Sequence, residues 1–121
     1  MHWIDQARMK RSIARSANDR LAALDRLVEA MLVLRTPEQL RALLSDLCTP
    51  AELEALSDRW QVVPLLIEGL PYRDIHERTG VSVTTIGRVA RCLSHGAGGY
   101  LHAVQALGLH RHPDPPSSHP A

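Results

Sequence analysis

LPYRDIHERTGVSVTTIGRVARCL, residues 70–93, carries the pattern that decides the fold. Gly80 divides it. Before the glycine, Ile75 is the inward anchor of a short helix that starts after Pro71. After it, Val81 falls in the turn, while Ile86 and Val89 share one face of a second helix opening at Ser82. A tight turn between helices needs a residue that tolerates positive φ, and glycine does so without steric cost. The segment therefore has the outline of a helix-turn-helix over residues 71–93. The outward face at the start of its second helix is Ser82, Thr84, Thr85, Gly87, Arg88 and Arg91.

Those side chains suit the major groove of double-stranded DNA. Ser and Thr hydroxyls donate to or accept from base edges, the Thr methyl can meet a thymine methyl, and arginine reaches guanine or phosphate. Arg73, at the start of the first helix, is placed to hold the phosphate backbone. Two positions depart from the usual pattern: His76 stands where a small residue is common, and Thr79 where a larger apolar one is. A short helix, a glycine and a second helix also occur in proteins that bind no nucleic acid. The alternative reading is thus a helical protein–protein interaction adapter without specific DNA binding. A third is the DNA-binding half of a mobile-element protein, against which these 121 residues hold no acidic catalytic domain, unless they are part of a longer chain.

The flanking sequence reads as helices throughout. Leu21, Leu24, Val28, Met31 and Leu34 step by three or four residues from a start capped by Asn18 or Asp19, giving a broad apolar stripe fit for another helix or another subunit. Thr36-Pro37-Glu38-Gln39 and Thr49-Pro50-Ala51-Glu52 repeat one helix-start device, in which Thr caps, Pro takes the first helical position and the fourth residue bonds back. Leu40, Leu43, Leu44 and Leu47 supply the face of the first of these helices. The second, about residues 50–68, is expected to bury Leu53, Leu56, Trp60, Val63 and Ile67, to bend or break at Pro64, and to stop at Gly69. A flexible turn over 94–99 leads to a short closing helix at 100–107. One domain over 19–108 is expected, with a basic arm at 1–18 and a Pro-, Ser- and His-rich tail at 109–121.

Composition fits an all-α protein. Phe is absent and the core must be Leu, Val, Ile and Ala. The net charge of +1 hides a pattern: residues 1–20 carry five Lys/Arg against two Asp, residues 21–70 four Arg against eight carboxylates, and residues 71–93 four Arg against two. Basic ends on an acidic middle suit a nucleic-acid binder with a separate scaffold, though ordinary charge scatter gives the same counts. Cys48 and Cys92 have no metal-ligand spacing and suit a reducing compartment, packed as small apolar residues within helices. No apolar run approaches a membrane span, and no apolar segment follows the basic start as in a secretory signal, so a cytoplasmic, nucleoid-associated protein is expected.

The run LCTPAELEALSDRWQVVPLLIEGLPYRDIHERTGVSVTTIGRVARCL resembles the Trp repressor superfamily, and within it the small Trp-repressor-like proteins of the YerC/YecD type. The letters that carry the resemblance are Leu47, Thr49, Pro50, Glu52, Ala55, Leu56 and Arg59, then the helix-turn-helix, then the glycine-rich His95-Gly96-Ala97-Gly98-Gly99-Tyr100. The resemblance covers residues 36–107. It implies an all-α multi-helix domain, an intertwined homodimer and a DNA-binding transcriptional repressor. In the Trp repressor, two arginines clasp the corepressor tryptophan, and their matching positions here are Arg59 and Arg88. Each has a plainer role available: Arg59 in an ion pair with a carboxylate such as Asp58, Arg88 on DNA. The repressor has Gly immediately after its second arginine, leaving room for the indole; here that residue is Val89. The resemblance thus implies an unidentified small-molecule corepressor other than tryptophan, or none.

Catalytic and metal sites are not expected. His110, His112 and His119 lie in the tail and His95 and His102 flank the glycine-rich turn, without a tight ligand cluster. Cys92 with His95 lacks an oxyanion cradle and a third member. HGAGGY lacks the lysine and preceding strand of a phosphate-binding loop.

Overall fold

The computed structural model describes residues 16–109, which form six α-helices joined by short turns and contain no strand. These residues fall into two compact units dividing between Leu47 and Cys48, inside the span read as one domain. Most of the basic arm and nearly all of the tail, with His110, His112 and His119, lie outside the described residues.

The first unit holds α1 (Ala17–Leu32) and α2 (Pro37–Leu47). The start of α1 corrects the sequence expectation: Ser16, not Asn18 or Asp19, is the cap. Its backbone is extended and its hydroxyl accepts the Asp19 N–H at 3.1 Å, while the Asp19 carboxylate accepts the Ser16 N–H at 3.4 Å. Asp19 is thus the third residue of a capping box. The apolar stripe is uncovered at Leu21, Leu24 and Val28, which are 43–58% exposed, and half-buried at Met31 and Leu34. At α2 the predicted device forms: Thr36 Oγ1 accepts from Gln39 N–H at 3.1 Å, and Gln39 Oε1 accepts from Arg35 and Thr36 N–H at 2.8 and 3.3 Å.

The second unit holds α3 (Pro50–Ile67), α4 (Tyr72–Thr79), α5 (Val83–His95) and α6 (Gly99–Ala106). The Thr49–Glu52 capping box opens α3 as predicted, with bonds of 3.2 and 2.8 Å. Pro64 neither breaks nor ends this helix. It forgoes one N–H bond, to the carbonyl of Trp60, while its own carbonyl still accepts from Glu68 N–H at 3.0 Å. Gly69 ends it as expected, and Leu70 N–H returns to Leu65 O at 3.2 Å.

The buried face of α3 differs from the predicted one. Val62 and Val63 are fully buried, Leu53, Trp60 and Ile67 are half-buried, and Leu56 is exposed. The core of this unit is Val62, Val63, Ile75, Val81, Ile86, Val89 and Val104, drawn from all four helices and the turn. Adjacent residues Val62 and Val63 can both be enclosed because α3 packs against both α4 and α5.

Two smaller corrections concern the helix ends and the cysteines. Ser94 and His95 belong to α5, so the turn to α6 is shorter than expected. A side chain at Gly96 would collide with the Cys92 carbonyl, so only glycine allows the chain to leave α5 there. Cys48 sits between α2 and α3 rather than within a helix, and Cys92 is exposed rather than packed.

Candidate nucleic-acid interface and effector cavity

The two helices of the motif meet at a turn held by several hydrogen bonds. Gly80 takes the left-handed conformation, φ 75°, and its N–H closes α4 onto His76 O at 2.8 Å. Ser82 caps α5: its hydroxyl accepts the Thr85 N–H at 3.1 Å and donates to Thr85 Oγ1 at 3.0 Å. Ile75, Val81, Ile86 and Val89, the four predicted anchors, are all buried. They seat α5 by one side and turn the other outward.

The outward side is close to the predicted one. Arg73, Ser82, Thr84, Arg88 and Arg91 are exposed, and α5 carries no carboxylate. Thr85 and Gly87 are half-buried. The Thr85 and Ser82 hydroxyls are engaged in the cap, and Thr84 is the one of these three whose hydroxyl makes no hydrogen bond among the described residues.

Two exposed residues extend this surface beyond the expected set. Val83, the first residue of α5, is 52% exposed, and Tyr72 of α4 is 41% exposed. Val83 stands three residues before Ile86, at the edge of the inward face on a helical wheel, so its spacing and its apolar character both pointed inward. Tyr72 reaches α5 across space, its ring 3.9 Å from where a Gly87 Cβ would stand, and no sequence spacing encodes that approach.

Arg59 and Arg88, matched only through the resemblance, come together on one cavity. It encloses about 280 Å³ between α3, α5 and α6 and is lined by both arginines, Thr85, Val89, Cys92 and Tyr100. Among the described residues neither guanidinium is held in an ion pair. Asp58, one of the carboxylates available to Arg59 in the plainer reading, accepts from Gln61 Nε2 at 3.4 Å instead. Tyr100 closes one wall, its ring 6.4 Å from that of Trp60. Val89 is 2% exposed, so its isopropyl group is at once core and cavity wall.

Comparison with known proteins agrees with this geometry. The family model for the Trp repressor protein matches residues 22–108. The uncharacterised YerC of Bacillus subtilis (strain 168) is 40% identical over 84 residues, covering 69% of this chain and 81% of YerC. A TrpR-like protein from Eubacterium eligens ATCC 27750 superposes with a TM-score of 0.71 at 36% identity, covering 75% of this chain and 94% of that one. A Trp repressor candidate from Staphylococcus aureus gives 0.72 at 33% identity, covering 81% and 100%. Helix order, the seated second helix of the motif and the sequence match agree, and the chain belongs to the Trp repressor family.

Proposed function

We propose that the protein is a sequence-specific DNA-binding transcriptional repressor that reads the major groove with α5. One observation carries the reading. A thirteen-residue helix is seated by two buried aliphatic side chains, and its free face offers Thr84, Arg88 and Arg91 with no carboxylate among them. Hydroxyls and guanidinia are the groups that meet base edges and phosphates, whereas an interaction adapter has no need of an acid-free face. Arg73 adds a backbone contact from α4, and Ser82 and Thr85 shape the helix start.

The protein acts as a homodimer in this reading, with the uncovered stripe of α1 against a second copy, so that two recognition helices meet a two-fold symmetric site. The cavity between Arg59 and Arg88 supports a second element of the proposal: a small-molecule effector other than tryptophan. It would lie against the base of α5 and so bias the helix that reads DNA.

Selection of bound duplexes from a random pool, followed by gel shifts over a range of salt, tests the function. The expected result is a symmetric site whose affinity falls steeply with salt. Thr84→Ala and Arg88→Ala should lose that site while remaining folded. Absence of binding at low salt would sink the repressor reading and favour the adapter.

A further inference from the structure

The two departures from the usual helix-turn-helix pattern, His76 and Thr79, converge on one residue, Val81. Thr79 Oγ1 donates to Ile75 O at 2.7 Å and accepts the Val81 N–H at 3.0 Å. His76 Nδ1 lies 2.7 Å from Val81 O. A carbonyl only accepts, so Nδ1 carries the proton in this bond. Both backbone groups of Val81 are therefore held by side chains from the last turn of α4. Val81 itself stands between left-handed Gly80 and the cap residue Ser82, and its side chain is buried.

We infer that His76 and Thr79 are positioning residues that fix the direction in which α5 leaves the turn, so that its reading face is set before DNA arrives; this rests on the DNA-binding function proposed above. Val81 is the one residue between the turn glycine and the cap, so its φ and ψ decide the entry angle of α5. A bond on its N–H and another on its C=O restrain both torsions. An apolar residue at 79 would leave the Val81 N–H without that partner, and a small residue at 76 would release the carbonyl. The buried valine side chain anchors the same residue from the core side. Binding geometry must be held to a fraction of an ångström for several contacts to form together, and freedom in the turn would be lost on binding at a cost in affinity.

The test uses the full chain and a duplex recovered from a random pool by the wild-type protein. Thr79→Val deletes the hydroxyl at nearly constant shape. His76→Leu deletes the ring donor, and His76→Asn restores a donor on the same Cγ branch. Thr79→Val and His76→Leu are expected to weaken binding about tenfold, the scale of one lost hydrogen bond to a part-buried group. The dependence of affinity on salt should stay unchanged, because no phosphate contact is removed. Thr79→Ser and His76→Asn should return to within about twofold of wild type, and the Val81 amide should exchange faster in Thr79→Val.

Wild-type affinity in both deletion variants would overturn the inference. So would a shallower salt dependence in His76→Leu, which would mark a direct phosphate contact. Should Thr79→Val fail to fold, the exposed position 76 carries the binding test alone. Should the wild type recover no duplex, the DNA-binding reading falls, and Val81 amide exchange in the free protein still decides whether the clamp holds the turn.

Discussion

Trp60 of α3 and Tyr100 of α6 face each other with ring centroids 6.4 Å apart and planes inclined by 35°. This tilted pair ties the last helix to the long one beside the Arg59–Arg88 cavity. Removing the ring in Tyr100→Ala should cost roughly 2 kcal/mol, combining lost burial at a half-exposed site with the aromatic term. Tyr100→Phe should lie within about 0.5 kcal/mol of wild type, since the phenol makes no hydrogen bond within the described residues. Urea unfolding of the two variants compares them directly. Equal stabilities would mean that α6 is held by Val104 and its neighbours alone.

Val89 should decide which ligand the cavity accepts. Val89→Gly removes the isopropyl group from the cavity wall and places glycine directly after Arg88, as in the Trp repressor. The substitution removes a side chain that is 2% exposed and loosens a helix interior, for a loss of about 3 kcal/mol. Calorimetric titration with tryptophan should show no binding to the wild type and measurable binding to a folded Val89→Gly protein. Tight binding by the wild type would show that Val89 is no obstacle.

The difference between what could and could not be read from the sequence follows the range of the interaction. The capping boxes at Thr36 and Thr49, the turn at Gly80 and the four anchors of the motif are local patterns within a few residues, and each stands where it was expected. The burial of Val62 and the exposure of Leu56 depend on how many helices press on α3, which no single helical wheel encodes. At Pro64 the helix runs on to Ile67, so the interruption that proline allows does not occur. At the site, Thr84, Arg88 and Arg91 follow from the wheel of α5, whereas the cavity that joins Arg59 to Arg88 was reached only through a family resemblance. His76 and Thr79 looked like blemishes on the motif because their partner is a backbone, and backbone partners leave no mark in a sequence.

Glu52 links the start of α3 to pH. Its carboxylate sits below the ordinary glutamate pKa, chiefly because it accepts the Thr49 backbone N–H and secondarily through the Thr49 side chain, with desolvation opposing slightly. A carboxyl whose folded-state pKa is lowered stabilises the fold above its unfolded value, and that contribution disappears as pH falls through the folded value. Glu52→Gln keeps an acceptor for the cap but cannot titrate. Thermal melts should therefore show wild type ahead at neutral pH and the gap closing as pH falls through the carboxylate range. A gap that widened in acid would contradict this sign.

Leu24 lies midway along the uncovered stripe of α1 and is 53% exposed, with Leu21 and Val28 one turn to either side. Leaving such a row in water forfeits about 25 cal/mol for every Å² that a partner could cover, and a second copy of the chain presents the same row. A charge at Leu24 should disrupt a self-paired face without disturbing the subunit, because none of the residues of α1 is buried within it. Sedimentation at micromolar concentration should give twice the chain mass of 13.4 kDa for wild type and the single mass for Leu24→Lys, with α-helical circular dichroism per residue retained. The same variant should bind an isolated half-site as wild-type monomers would, yet lose most affinity for the two-fold site, since each recognition helix would then bind alone. A wild-type chain that sediments as a monomer would remove the basis for a symmetric operator. A dimeric Leu24→Lys protein would place the interface elsewhere.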